Sequence, residues 1–187
     1  MSGLKPATSM MSRTGFIPTQ PLERASESLE KINDAFRQIN LQTFDVIQSM
    51  KRPSQLEFDA ARLLCLFINA FRDSSVAWPD AQFDTWQTIV QFLMNSPSQS
   101  KTCLELQNIK KKVLRPHLAR ISQGTYDELA SIRTGFLDHY GVNERAAVAQ
   151  YSGHSRRSLK AMVNLVLTSI SHLVPKTEET ENSYENS

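Results

Sequence analysis

The sequence predicts an all-α fold, a single helical bundle with polar termini, and three observations predict it. Apolar residues recur at steps of three and four along most of the chain. No run alternates apolar and polar long enough for a strand. Six glycines and eight prolines punctuate the chain, most of them between the periodic stretches, where helix ends need them. At 187 residues and 21.2 kDa the chain has room for one core-forming domain plus tails.

Prolines at 6, 18 and 21 mark residues 1–21 as a flexible N-terminal arm. A heptad row follows: Leu22, Ala25, Leu29, Ile32, Phe36 and Ile39, continuing through Thr43, Val46 and Met50. The spacing predicts one helix over 22–50, its seam interrupted at Thr43 and stopped at Pro53. A second helix is expected from Ser54 to Arg72, with Leu56, Ala60, Leu63, Leu64, Phe67 and Phe71 on a broad apolar face. After the loop DSSVAWPD, Asp84 caps a third helix that carries Trp86, Ile89, Val90 and Leu93 inward to Met94, and NSPSQS ends it. A fourth, basic helix covers 101–114, with Pro116 breaking or kinking it.

Beyond Gly124, Leu129, Ile132, Phe136 and Tyr140 keep helical spacing up to Gly141. Asn143 caps a short helix, ERAAVAQYS, and Gly153 marks a turn. The last helix runs from near Ser155 to Val174, apolar nearly all round, as in the buried spine of a bundle. That makes six or seven helices in a domain over 22–174. Residues 175–187 read as an acidic disordered tail, one lysine standing against Glu178, Glu179, Glu181 and Glu185.

The net charge of +2 conceals an uneven distribution. Residues 101–121 hold Lys101, Lys110, Lys111, Lys112, Arg115 and Arg120 against Glu105 alone. Residues 145–174 hold Arg145, Arg156, Arg157 and Lys160 with no acid. Two basic segments beside apolar stripes point to a polyanionic partner.

Other chemistries find no foothold. Two cysteines, Cys65 and Cys103, are too few for a disulfide scaffold or a cysteine-only zinc site and suit a reducing compartment. His117, His139, His154 and His172 lack metal-ligand spacing, so no metal site is expected. The glycines form no phosphate-cradling loop, which leaves no cofactor to predict. Ser152, Ser155 and His154 share one turn without a nucleophile elbow, so the chain is expected not to be an enzyme. The start of the sequence lacks the apolar core of a secretory signal, and no stretch is long enough to span a membrane. The expected location is cytoplasmic or nuclear.

Two resemblances sharpen the functional expectation. In VAQYSGHSRRSLKAMV, within residues 142–163, Val148 and Ala149 precede Gly153, Ser155, Arg156, Arg157 and Leu159. This resembles the helix-turn-helix signature of DNA-binding proteins. The resemblance implies that Ala149 admits a close helix approach, Gly153 opens the turn, Ser155 starts the recognition helix, and Val148 and Leu159 seal the pair. Arg156, Arg157 and Lys160 would then contact groove and phosphates.

Over more of the chain, the seam ending in SMKRPS, then an apolar helix, a tryptophan helix and basic and serine-containing helices resemble the microtubule-binding stalk tip of dynein motors. That resemblance implies that Lys51, Arg52 and Pro53 occupy the bend where the coiled coil enters the tip. It also implies that Leu159, Met162, Val166 and Leu173 line the returning arm. One proline stands where that family usually has two.

The main expectation is a non-enzymatic nucleic-acid-binding protein, either a DNA regulator or a small RNA-binding nucleoprotein or coat subunit. Its contacts would be Lys110, Lys111, Lys112, Arg115, Arg156, Arg157 and Lys160, neutralising phosphates. The alternative is a helical protein-interaction module, either a microtubule-binding tip with tubulin as partner or a bundle that dimerises through the heptad seam. A homo-oligomer is expected in either case, with the seam packed against the last helix or against a second copy.

Overall fold

The computed structural model describes residues 20–94, 100–141, 143–153 and 156–175. The helices are α1 (Gln20–Arg37), α2 (Leu41–Ser49), α3 (Gln55–Ala70), α4 (Trp86–Met94), α5 (Ser100–Leu114), α6 (Pro116–Ala119), α7 (Gln123–Tyr140), α8 (Glu144–Ala149) and α9 (Arg157–Leu173). A 3₁₀ turn over Asp80–Asp84 precedes α4. The described residues contain no strand, and the all-α expectation holds. Among the described residues the nine α-helices exceed the six or seven read from the periodicity.

One extra helix comes from a break in the seam. The chain stops being helical at Gln38–Asn40 because Asn40 caps a new helix. Its Oδ1 accepts from the Thr43 N–H at 3.3 Å, while Thr43 Oγ1 accepts from the Asn40 N–H at 3.1 Å. This reciprocal box satisfies two N–H groups that would otherwise be orphaned. Thr43 therefore does not interrupt an apolar row; it is a buried capping residue. The other extra helix is α6, where Pro116 sits in the first turn and starts a helix as well as ending α5. Thr85, not Asp84, caps α4, its Oγ1 accepting from the Thr88 N–H at 3.3 Å. Asp84 instead meets Arg62 at 3.3 Å. The serine-rich 95–99 stretch and Ser155 lie outside the described residues, as do 1–19 and 176–187.

The spine is α9, which packs on α1, α3, α7 and α8. Leu159, Met162, Val163, Leu165, Val166 and Ile170 are fully buried, each contributing roughly 1.5–3 kcal/mol by leaving water. Ser28 of α1 meets His172 near the end of α9 at 3.3 Å, while Arg37 and Gln38 border the same cleft as Arg157 and Ser158. The two helices thus run antiparallel, and the seam packs against the last helix. Only its second half is covered: Ile32 and Phe36 are buried, but Leu22 is 75% exposed.

Helix α3 runs alongside α9. Its start is fixed by the Tyr151 hydroxyl, which donates to the Leu56 carbonyl at 2.9 Å, and by Tyr140, which donates to Asp59. Its end is fixed by Asn69, which donates to the Trp78 carbonyl and accepts from the Trp78 N–H, both at 2.8 Å. There Arg72 grips Glu105 of α5 with two bonds, 2.6 and 2.9 Å, and lies 4.2 Å above the Phe92 ring. The end of α1 and the start of α9 thus border one cleft, and the end of α3 meets α5 at Arg72 and Glu105.

Candidate interaction surface

The sequence-predicted contacts fall on two elements, α5 and the start of α9. Lys110, Lys111, Lys112 and Arg115 belong to α5, whose Leu106, Ile109 and Val113 are buried against the bundle. Lys111 and Arg115 are exposed, and Lys110 and Lys112 half-buried. Lys112 borders a cleft with Asn69, Arg120 and Glu128, next to the end of α3. Burial, and the nearby Asp80 carboxylate, push Glu128 above the usual carboxylate range.

Arg156, Arg157 and Lys160 lie at the start of α9. Arg157 and Lys160 are exposed on its first turns; Arg156, half-buried, lies just before them. The cleft bordered by Arg157 includes no residue of α5, and the cleft bordered by Lys112 includes none of α9.

The segment resembling helix-turn-helix proteins folds as an antiparallel hairpin. Glu144 at the start of α8 accepts from the Ser171 hydroxyl near the end of α9, and Tyr151 beyond α8 reaches Leu56. Gly153 supports the turn with φ +111°, a region that favours glycine. Leu159 is buried, as a sealing residue should be, and Val148 is half-buried. The small-residue role does not fall on Ala149, which is exposed; Ala147 is the fully buried alanine of α8. Ten of the seventeen residues of α9 are buried, so only its first turns are free to meet a partner.

The end of α1 and the turn before α3 carry residues that the charge windows did not single out. Met50 O accepts from Trp86 Nε1 at 3.0 Å and Trp86 rests near Phe58, which holds the turn of Lys51, Arg52 and Pro53 beside the start of α3. Lys51 and Arg52 are exposed. Arg37 closes α1, with Asp34 at 3.2 Å on the same face. Among the described residues the side-chain ion pairs are Arg37–Asp34, Arg62–Asp84 and Arg72–Glu105, so Lys51, Arg52, Arg157 and Lys160 enter none.

The acids at this end are engaged in structure. Asp59 takes the Tyr140 hydroxyl, and Glu57 Oε2 accepts from the Ser54 N–H at 2.7 Å as a capping box for α3. Burial, the hydrogen bond to Asp59 and its negative charge raise the Tyr140 phenol well above its ordinary value. Burial also raises Tyr151, aided by Tyr140 and Asp59 and opposed by Arg156. Both phenols are thus held neutral as donors.

Among the described residues no helix is long and apolar enough to cross a membrane. Compared with known proteins, the chain matches no family model, no curated protein and no solved structure.

Proposed function

We propose that this chain is a non-enzymatic interaction module that docks on an acidic protein polymer, the microtubule, through the end of the bundle where α9 starts. One observation carries the reading. In the antiparallel α1–α9 pair the start of α1 lies with the end of α9, and at the other end stand Arg157 and Lys160, which, like Lys51 and Arg52 in the turn after α2, enter no ion pair among the described residues. The element order also follows the resemblance to the dynein stalk tip, with the seam broken into α1 and α2: a basic bend with proline, an apolar helix, a tryptophan helix, basic and serine-containing helices, and a return helix lined by Leu159, Met162, Val166 and Leu173.

A nucleic-acid reading draws less support. It needs two basic segments acting together, and they border separate clefts; its recognition helix is the spine of the core. The mechanism proposed here is electrostatic attraction to an acidic surface, specified by shape at the start of α3 and α9. Co-sedimentation with polymerised tubulin, beside the 260/280 nm absorbance ratio of protein purified at low salt, tests it. Salt-sensitive pelleting without bound nucleic acid is expected. Nuclease-sensitive absorbance without pelleting would return the chain to the nucleic-acid class.

A further inference from the structure

We infer that the cleft between the end of α1, the start of α2 and the first turn of α9 seats an acidic peptide segment, whose glutamate or aspartate carboxylates bind Arg37 and Arg157. The inference rests on the docking reading above and names what that surface grips. The cleft measures about 400 Å³ and is bordered by Arg37, Gln38, Gln42, Arg157 and Ser158. Its two guanidinium groups come from different helices, and each can take a carboxylate with two parallel bonds. The side-chain amides of Gln38 and Gln42 and the Ser158 hydroxyl have no hydrogen-bond partner among the described residues, so they remain available as further donors.

Two features favour carboxylate side chains over phosphate. Asp34 sits beside Arg37 at 3.2 Å, and its charge repels a phosphate dianion about twice as strongly as a carboxylate. Ala161, which is buried, adds apolar surface to the cleft, suited to the methylenes of a glutamate arm and of no use to inorganic phosphate.

Fluorescence anisotropy of a labelled hexaglutamate peptide with the full chain at low salt is the test. The parent is expected to bind, R37A/R157A to bind at least about tenfold more weakly, and K111A/R115A, outside the cleft, as the parent does. R157Q gives a second reading, weakened by a smaller factor, if the double variant loses its helical circular dichroism. No hexaglutamate binding, equal binding by the parent and both arginine variants, a greater loss in K111A/R115A, or displacement by inorganic phosphate at concentrations that match the peptide would each overturn the inference. A parent that pellets with polymerised tubulin yet ignores hexaglutamate overturns this inference alone. A parent that does neither overturns the docking reading with it.

Discussion

Replacing Ile32 with alanine probes the α1–α9 packing directly. Ile32 is fully buried, Leu29 is 36% exposed and Leu22 is 75% exposed, although all three occupy the same heptad row. Truncating a buried isoleucine forfeits its transfer free energy and leaves a cavity, together about 3 kcal/mol. The same truncation at Leu22 removes little buried surface and falls within about 0.5 kcal/mol. Leu29 belongs between them, near 1 kcal/mol by its partial burial. With a urea dependence of about 2 kcal/mol per molar, I32A lowers the unfolding midpoint by roughly 1.5 M and L22A leaves it almost unmoved. Helical circular dichroism through the urea transition reads both. Equal shifts at positions 22 and 32 would refute the reasoning, and a concentration-dependent midpoint would show that a second copy covers the exposed half of the seam.

Three further outcomes follow from particular contacts. N40A loses the reciprocal cap of α2 and lowers stability by about 1 kcal/mol in the same urea assay, with the start of α1 unaffected in hydrogen exchange. Ser169 is fully buried on α9 and its hydroxyl finds no partner among the described residues, so S169A is neutral or stabilising by up to about 1 kcal/mol in thermal melts. Tyr140 and Tyr151 remain protonated above pH 10, where a free phenol ionises, because their folded values are raised. The folded chain then holds more protons than the unfolded one, so stability is complete below pH 10 and falls as pH rises beyond it. An alkaline absorbance titration compared with Y140F and Y151F measures this; early ionisation of both phenols in the folded chain would contradict it.

Much of the fold was legible because helix periodicity and caps are local signals. The apolar face of α3, the Asn143 cap of α8, the Gly141 stop and the buried spine of α9 are all written within a few residues of where they act. The break before α2 was also written locally, in Asn40 and Thr43. Read as a seam, that spacing hid a capping box, since a heptad row counts a threonine as a gap and not as a cap. The basic surface was less legible for a physical reason. Charge windows along the chain joined Lys110–Arg115 to Arg156–Lys160, but packing, not sequence distance, sets neighbours, and Lys112 and Arg157 border different clefts. It also brought Arg37 beside Arg157, a pairing that appears only once α1 and α9 are set in register.

The most direct test of the account compares two charge reversals in one binding assay. K51E/R157E/K160E alters the end where α9 starts; K110E/K111E/R115E alters the end where α5 lies. Co-sedimentation with polymerised tubulin, at a salt concentration where the parent is half bound, is predicted to lose most of its bound fraction in the first variant and little in the second, with both retaining helical circular dichroism. Loss confined to the second variant, or equal loss in both, would contradict the assignment of the interaction surface to the start of α9.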